Sequence, residues 1–200
     1  MLDKNLSIYQ ALIFDLDGTF IDSMPLHNRA WIEVLSQNGV TINEQFIHDM
    51  AGMSSERIVN ILNKRFQKNL DPEIISTQKR NKYLEVIDQV QIFEPVFSLV
   101  KKYHQIIPMG IITGGEHEVV DNQLLKLDIR KYFQVVICSE DTLSGKDTAA
   151  PYILMCNKLA VDPSKCLFFD DGDLALKGAK LSGMNVIRVN VRHRDIFSLI

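Results

Sequence analysis

The sequence predicts an α/β fold: a doubly wound, Rossmann-like and mostly parallel sheet that carries an inserted α-helical cap domain. Helical periodicity separates most of the apolar runs, as in strand–helix–strand units. The runs themselves are continuous rather than alternating, which is typical of strands buried on both faces of a parallel sheet. These runs lie at residues 11–14, 109–112, 133–138, 166–169 and 184–189.

The segment 22–92 contains helical signals and no strand-like run. Pro25 lies where a first helical turn would begin, and Asp71, which precedes a proline, has the pattern of an N-cap. We therefore predict a core domain of residues 1–21 and 93–200 and a helical cap domain of residues 22–92. A helical insert at this point of the fold is expected to cover the carboxyl end of the sheet, where ligands bind.

Composition and charge exclude several classes of protein. The 200 residues are 46% hydrophobic, and 22 basic residues face 25 acidic ones, so the chain is too apolar and too weakly charged to be disordered. No window approaches the roughly 20 apolar residues of a membrane helix, and the first residues lack the cleavage site of a signal peptide. The charge balance gives no reason to expect nucleic acid or a membrane surface as partner.

The cysteines also bear on the environment of the protein. Cys138, Cys156 and Cys166 are odd in number and lack metal-ligand spacing along the sequence, which suits a reducing compartment. We therefore expect a cytoplasmic protein. We also expect it to be a monomer or weak oligomer, and its partner to be a small molecule.

Two acids follow the first predicted strand, Asp15 and Asp17, in the sequence DLDGT over residues 15–19. Such a pair needs a cation or a proton to relieve its repulsion. A metal-bound carboxylate can then act as a nucleophile, and a protonated neighbour as a general acid. A plain surface turn is the alternative, but the position directly after a buried strand favours a site.

The fourth predicted strand also ends in two acids, Asp170 and Asp171. Alone, such a pair is typical of a turn or a helix cap. Beside the first acidic strand end, it indicates a metal site. Carboxylates without Cys or His suit a hard cation, and a sparse, one-sided set of them suits Mg²⁺ that keeps several waters.

The other two strand ends carry groups that suit an anion. Thr113, Gly114 and Gly115 offer a hydroxyl and backbone N–H groups before a helix, although an ordinary β–α turn would have the same sequence. Lys146 would usually be a solvated surface charge, but beside catalytic strand ends it would supply the positive charge that a phosphate needs. The sequence has neither a P-loop nor a Gly-x-Gly-x-x-Gly motif.

Taken together, these strand ends resemble the four motifs of the haloacid dehalogenase superfamily, in order and over essentially the whole chain. The first motif matches Asp15-x-Asp17-Gly-Thr, the second Thr113, the third Lys146 and the fourth Asp170-Asp171. The insert resembles the α-helical cap of the subfamily that contains β-phosphoglucomutase and small sugar-phosphate phosphatases. The Gly-Asp pair after the fourth motif and the Thr-Gly pair of the second motif are more similar to a bacterial fructose-1-phosphatase branch.

The resemblance implies a role for each matched residue. Asp15 would be the nucleophile that forms an aspartyl-phosphate, and Asp17 the acid that protonates the leaving oxygen and then the base that activates water. Thr113, the amides of Gly114 and Gly115, and Lys146 would hold the phosphoryl group. Mg²⁺ would be bound by Asp15, the backbone carbonyl of Asp17, Asp170 and Asp171.

This resemblance implies a Mg²⁺-dependent phosphatase of small phosphorylated metabolites, with sugar phosphates as the expected substrates. One alternative is a mutase of the β-phosphoglucomutase type, which would return the phosphoryl group to a second hydroxyl. Another is a regulatory protein that binds phosphate without turnover.

The third motif departs from the family pattern. Where the family has Lys-Pro-x-Pro-Asp, this chain has Lys146 followed by Asp147, Thr148, Ala149 and Ala150. Without the two prolines the loop that presents Lys146 is expected to be looser. Asp147 could also pair with Lys146 and divert its charge.

The cap is expected to select the substrate. Gly52 and Ser54 lie in a segment that resembles the cap loop approaching the substrate, and Arg57 is either a substrate contact or a solvated helix charge. His27 is either an acid–base helper or a helix-surface histidine, and Trp31 is expected to pack rather than to stack on substrate.

Basic residues of the second half of the cap are assigned to the surface. Lys79, Arg80 and Lys82 are predicted to form a solvated helix face. The position that resembles a substrate-binding cap lysine of the mutase holds Glu85, which favours the phosphatase.

Overall fold

A six-stranded sheet runs through the computed structural model, which describes residues 6–50, 53–190 and 195–199. The strands are β1 (Ala11–Phe14), β2 (Ile21–Asp22), β3 (Gln91–Ile92), β4 (Met109–Ile112), β5 (Val135–Ile137), β6 (Cys166–Asp170), β7 (Asn185–Asn190) and β8 (Asp195–Leu199). The sheet order is β5-β4-β1-β6-β7-β8, parallel except for β8, which pairs antiparallel with β7. The predicted fold class is therefore confirmed, and the five predicted strands are β1, β4, β5, β6 and β7.

Helices cover both faces of the sheet and bury the apolar side chains that β1 presents to each face. The helices are α1 (Met24–Gln37), α2 (Glu44–His48), α3 (Ser55–Phe66), α4 (Pro72–Leu84), α5 (Glu94–Tyr103), α6 (His117–Lys126), α7 (Ala150–Leu159) and α8 (Asp173–Leu181). Leu12 and Phe14 pack in one buried cluster with residues of α5 and α6. Ala11 and Ile13 pack in another with residues of α7 and α8. This is the two-sided burial that the continuous runs predict.

The third predicted run yields a shorter strand than its apolar length suggests. Phe133 lies directly after a 3₁₀ turn over Arg130–Tyr132, so the strand begins only at Val135. The two-residue strands β2 and β3 were not predicted, since two residues carry no periodicity.

Helices α1 to α4 form the helical insert, residues 24–84, with an apolar core of its own that includes Trp31, Leu35, Val59 and Leu62. Pro25 lies in the first turn of α1, and Asp71 caps α4 by accepting hydrogen bonds from two backbone N–H groups. The chain leaves and rejoins the core through the antiparallel pair β2–β3. The predicted boundaries near residues 22 and 92 lie in this ribbon, and the division into two domains remains a prediction.

Within the described part of the chain, no helix combines the length and the apolar composition that crossing a bilayer requires.

Candidate active site

The acidic strand ends lie together because β1 and β6 are neighbours in register. Phe14 is paired with Phe169, and the N–H of Asp15 donates to the carbonyl of Phe169 at 2.8 Å. Asp15 follows β1 at the same edge where Asp170 ends β6. The carboxylates of Asp15, Asp170 and Asp171 each place an oxygen within 4.8 Å of the others. The predicted convergence of these three acids is therefore present in the fold.

Lys146 lies between two of these carboxylates. Its Nζ donates to Oδ1 of Asp15 at 2.5 Å and to Oδ2 of Asp170 at 2.6 Å, and all three side chains are buried. Burial alone would lower the pKa of Lys146, but the carboxylates of Asp15 and Asp170 raise it above its ordinary value. Lys146 is therefore a fixed positive charge inside the site.

The carboxylates still outnumber the positive charge. Burial raises the pKa of Asp15 well above its ordinary value, with repulsion from Asp170 and Asp171 adding to this effect and Lys146 opposing it. Burial and repulsion from Asp170 raise the pKa of Asp171 to about 7. Three carboxylates and one ammonium leave a net negative charge, which a divalent cation would offset.

Gly18 and Thr19 of the first motif position Asp171. Thr19 Oγ1 donates to Oδ1 of Asp171 at 3.2 Å and accepts from the Asp171 backbone N–H at 3.1 Å. Gly18 has a φ of +83°, and a Cβ there would lie 3.0 Å from Oδ2 of Asp171. Only glycine suits both the left-handed conformation and this close approach.

Asp17 is held as a carboxylate by three donors on one oxygen. Its Oδ1 accepts from Ser23 Oγ at 2.5 Å, from Gln123 Nε2 at 2.9 Å and from His27 Nε2 at 3.1 Å. Burial would raise the pKa of Asp17, but the charge of His27 when its ring is protonated, together with the hydrogen bonds from His27, Ser23 and Gln123, outweighs it and lowers the pKa. The other oxygen, Oδ2, lies toward Gly115, 3.8 Å from where a Cβ of that glycine would be.

His27 connects Asp17 to Lys79 of α4. Lys79 Nζ lies 2.8 Å from Nδ1 of His27, and an ammonium group can only donate. Nδ1 is therefore the acceptor, and the proton on Nε2 points to Asp17. Burial and the charge of Lys79 lower the pKa of His27, which fits a neutral ring. The ring also stacks on Tyr83 at 3.8 Å between centroids. Of the two interpretations of His27, the surface one is wrong, since its side chain is only 12% exposed.

The predicted solvated face of α4 is wrong for two of its three residues. Lys79 is 9% exposed, and its ammonium lies over the rings of Trp31 and Tyr83. Arg80 pairs with Glu116 and with Glu118 across the interface between α4 and α6. Lys82 does lie on the surface, paired with Glu33 and Glu85.

Glu85 lies away from the site at the end of α4, with a side chain 61% exposed. Lys79 lines the site cavity instead. The sequence argument that set Glu85 against a mutase therefore loses its support.

The second motif forms a compact turn beside these groups. The N–H of Gly115 donates to Oγ1 of Thr113 at 3.0 Å, so the hydroxyl proton of Thr113 is free to donate elsewhere. A Cβ on Gly115 would lie 2.9 Å from Val120. The backbone can therefore approach α6 closely only at glycine.

The loop that presents Lys146 has restraints in place of the missing prolines. The hydroxyl of Tyr152 lies 2.7 Å from the carbonyl oxygen of Ala175 and 3.0 Å from that of Lys146, so its single proton is shared between them. A Cβ on Gly178 of α8 would lie only 2.0 Å from the carbonyl oxygen of Lys146. Asp147 pairs with both terminal nitrogens of Arg57, at 3.0 and 3.1 Å, and does not divert the charge of Lys146 as the sequence suggested. Arg57 and Asp147 thereby connect α3 to this loop.

The functional side chains surround a cavity of about 110 Å³. One wall, the sheet wall, comes from the strand ends and carries Asp15, Asp17, Thr113, Gly114, Gly115, Lys146, Asp170 and Asp171. The opposite wall, the helical wall, comes from the insert and is mostly apolar, with Met24, His27, Trp31, Ile47, Met50, Met53, Ser55, Ile58, Lys79 and Arg80. Trp31 is 3% exposed and also packs in the core of the insert, in line with its predicted packing role.

Two predicted cap residues face a different cavity. Ser54 and Arg57 line a second cavity of about 600 Å³, together with Thr113, Gly114 and Lys146. Gly52 lies outside the described residues. Site residues missed by the sequence reasoning are Ser23, Lys79, Tyr83 and Gln123.

Comparisons with known proteins identify the family of this chain. The model of the haloacid dehalogenase-like hydrolase family matches residues 12–189. Fructose-1-phosphate phosphatase YqaB of Escherichia coli is 30% identical over 187 residues, which cover 92% of this chain and 97% of that protein. A phosphorylated carbohydrates phosphatase of Thermotoga maritima is 25% identical over 183 residues, covering 89% and 83%.

Solved structures with the same fold include β-phosphoglucomutase from Clostridium difficile, with a TM-score of 0.82 at 20% identity, covering 91% of this chain and 85% of that one. CbbY from Rhodobacter sphaeroides, solved with phosphate, has a TM-score of 0.78 at 21% identity, covering 89% and 84%. The family model spans all four motifs, from β1 to β7. The chain therefore belongs to the haloacid dehalogenase-like hydrolase family.

Proposed function

We propose that this chain is a Mg²⁺-dependent phosphatase that hydrolyses small phosphorylated metabolites, sugar phosphates above all, through a phosphoryl group carried on Asp15. The observation that carries the proposal is the meeting of three carboxylates, one buried lysine and a Thr-Gly turn at adjacent strand ends around one cavity. The names of the relatives, a fructose-1-phosphate phosphatase and a phosphorylated carbohydrates phosphatase, support the substrate class.

The donor set fits Mg²⁺. Asp15, Asp170 and Asp171 offer hard oxygen ligands without sulfur or nitrogen, which is the set that Mg²⁺ prefers. Burial raises the pKa values of Asp15 and Asp171, and repulsion between the carboxylates adds to this effect, so a bound cation would favour their ionised forms. These three carboxylates, with the backbone carbonyl of Asp17, would hold the ion. When bound, it would offset the charge of the phosphoryl oxygens.

The phosphoryl group would be held opposite the acids. The Thr113 hydroxyl, whose oxygen already accepts from Gly115, donates its proton to a phosphoryl oxygen. The backbone N–H of Gly114 and the ammonium of Lys146 supply further donors for the charge of the transferring group. Because Lys146 is anchored by Asp15 and Asp170, it is already in place when the substrate binds.

The reaction then has two balanced steps. A carboxylate oxygen of Asp15 attacks phosphorus, the bond from phosphorus to the leaving oxygen breaks, and that oxygen takes a proton from Asp17. Water then attacks phosphorus and gives its proton to Asp17, while the bond from phosphorus to Asp15 breaks and inorganic phosphate leaves. Both transfers use Oδ2 of Asp17, the oxygen on the Gly115 side.

The three donors on Oδ1 bear on how Asp17 serves both steps. They favour the carboxylate, which is the form that accepts a proton from water in the second step. The first step requires the protonated form, which an incoming phosphate dianion would favour by its negative charge. The bond from His27 keeps the carboxyl plane fixed through both changes.

The test is release of inorganic phosphate from a panel of sugar phosphates and an aryl phosphate, with and without Mg²⁺. The wild type should turn over only with Mg²⁺, and Asp15→Asn should lower kcat by more than about 10⁴-fold, as loss of a nucleophile does elsewhere. Asp162→Asn, which changes an exposed acid far from the cavity, is the matched control. Equal inactivity of wild type and Asp15→Asn on the whole panel would contradict the proposal.

A mutase of the same fold is the second candidate, because Lys79 rather than Glu85 lines the cavity. The two functions differ in their product. A phosphatase releases inorganic phosphate in proportion to substrate consumed, whereas a mutase converts one sugar phosphate into its isomer with little free phosphate. A regulator without turnover would bind phosphate esters and yield neither product.

A further inference from the structure

A second cluster of possible metal ligands lies beside the active site, one strand further along the sheet. His117 is the first residue of α6, Cys138 directly follows β5, and Asp141 ends a 3₁₀ turn over Ser139–Asp141. One ligand atom from each, the imidazole nitrogen, the thiol sulfur and a carboxylate oxygen, lies within 4.8 Å of the other two. Sequence spacing does not reveal this cluster, because its members lie on two different strand–helix connections.

Hydrogen bonds already hold the three residues in place. His117 Nε2 lies 3.0 Å from Oδ2 of Asp141, and the backbone N–H of Cys138 donates to the same oxygen at 2.7 Å. The backbone N–H of His117 donates to Glu140 at 2.6 Å. The turn is therefore fixed to the start of α6, and this backbone arrangement holds the ligand atoms within 4.8 Å of one another.

We propose that His117, Cys138 and Asp141 form a second metal site, selective for a borderline transition ion of the Zn²⁺ class rather than for Mg²⁺. Nitrogen, thiolate and carboxylate ligands together suit Zn²⁺, whereas Mg²⁺ takes oxygen ligands. A tetrahedral ion holds its ligands roughly 3.4–3.8 Å apart. The ligand atoms lie within 4.8 Å of one another, so side-chain movements of at most about 1 Å bring them to these distances, and the fourth position is left for water.

The surroundings allow an ion to reach the cluster. The His117 side chain is 43% exposed, and Cys138 lines the second cavity together with Ser139 and Gly114. Burial and the nearby carboxylates raise the pKa of the Cys138 thiol, so binding of the ion releases the thiol proton.

A metal at this cluster would also stiffen the phosphate-binding turn. The backbone N–H of Ser139 donates to the carbonyl of Gly115 at 3.0 Å, and His117 follows that turn by two residues. An ion bound to both His117 and Cys138 therefore connects β5 to the turn that carries Thr113.

The test uses Co²⁺ as a spectroscopic probe on metal-free protein, with excess Mg²⁺ present to fill the acidic site. We expect one equivalent of Co²⁺ to bind, with a thiolate-to-metal charge-transfer band in the near ultraviolet that Zn²⁺ abolishes by displacement. Cys138→Ser should remove the band. His117→Ala should weaken Co²⁺ binding by at least about 100-fold, because loss of an outer-shell partner alone weakens a site 10–100-fold.

Two controls keep the result decisive. Cys156→Ser should keep the band, since Cys156 lies outside the cluster and contacts Cys166, with their sulfurs 3.6 Å apart. Asp15→Asn should also keep it, because the acids lie outside the cluster. Circular dichroism checks that each variant is folded, and Cys138→Ala replaces Cys138→Ser if the hydroxyl disturbs folding. No thiolate band in folded wild type, or a band that survives loss of Cys138, would overturn the proposal.

Discussion

The sheet wall and the helical wall of the active-site cavity are built in different ways. The sheet wall is dense in charge, and its acids and lysine meet at neighbouring strand ends, where Lys146 is held by Asp15 and Asp170. Asp17 is the exception, because Ser23, His27 and Gln123, which lie outside the strands, hold its carboxylate. The helical wall is mostly apolar and meets the core through side chains, as in the Arg57–Asp147 and Arg80–Glu116 pairs at its edges. The pairing of neighbouring strands therefore places most of the charged groups, whereas side-chain contacts between the insert and the core place the side that faces the leaving group.

The largest further effect is expected on the sheet side, at Asp17. Asp17→Asn should reduce kcat by about 10²- to 10⁴-fold, the range typical of a lost acid–base group. The Mg²⁺ concentration for half-maximal activity should change little, since the backbone carbonyl remains. Both quantities come from one Mg²⁺ titration of phosphate release. An unchanged kcat would remove Asp17 from its acid–base role.

On the helical wall, the buried charge of Lys79 is expected to lower the stability of the fold at neutral pH. Burial lowers its pKa from 10.5 to about 8. Between these two values the unfolded chain binds a proton that the folded chain does not, so the free energy of unfolding rises with pH. Between pH 8 and 10.5, the free energy of unfolding of the wild type should therefore rise by up to about 3 kcal/mol relative to that of Lys79→Met.

Urea unfolding at several pH values measures this difference. Lys82→Met is the matched control, because Lys82 lies on the surface of the same helix, and its difference from wild type should stay within about 0.5 kcal/mol. A Lys79→Met curve parallel to the wild type over this pH range would mean that Lys79 keeps an ordinary pKa.

Two glycines behind the sheet wall differ in what an added methyl group would contact. A Cβ on Gly178 would meet the Lys146 carbonyl at 2.0 Å, whereas a Cβ on Gly110 would meet the end of the Met155 side chain at 2.5 Å and the nearest backbone atom, the Val135 carbonyl oxygen, only at 3.2 Å. Gly178→Ala should therefore destabilise by about 1–3 kcal/mol despite the better helix propensity of alanine, and should lower kcat by moving Lys146. Gly110→Ala should cost less and leave kcat nearly unchanged, as thermal unfolding and phosphate release can show.

The smallest effect is expected at the edge of the helical wall. The Arg57–Asp147 pair is partly exposed, so a double-mutant cycle with Arg57→Gln and Asp147→Asn should give a coupling of about 0.2–1 kcal/mol in stability. Both single variants should change kcat/KM by a similar, small factor that fades at high salt. A much larger rise in KM for Arg57→Gln alone would instead make Arg57 a substrate contact.

The acids of the sheet wall can be predicted from the sequence, whereas the contacts of the helical wall are harder to predict. Asp15, Asp17, Asp170 and Asp171 each follow a buried apolar run, and parallel strands bring such ends to one edge. Their meeting therefore follows from local patterns plus one rule of topology.

The prediction that Lys79 is solvated is wrong because it rests on the charge of the side chain and disregards the position of the residue on the helix. Ile75, Lys79 and Tyr83 are spaced four apart on the buried stripe of α4, so helical period alone could have placed Lys79 inward. Gln123 gives the same signal, since it lies among the buried residues Val119, Val120 and Leu124 of α6. The Arg57–Asp147 pair had no such signal, because it depends on how the insert docks on a loop far away in sequence.

The methionines of the helical wall have a consequence for substrate range. Met24, Met50 and Met53 all line the cavity, and a methionine side chain is unbranched, polarisable and able to adopt many shapes at little cost. A surface of this kind adapts to differently shaped leaving groups instead of rejecting them. We expect the enzyme to be a generalist, whose kcat/KM declines gradually across related phosphate esters and shows no single sharp preference.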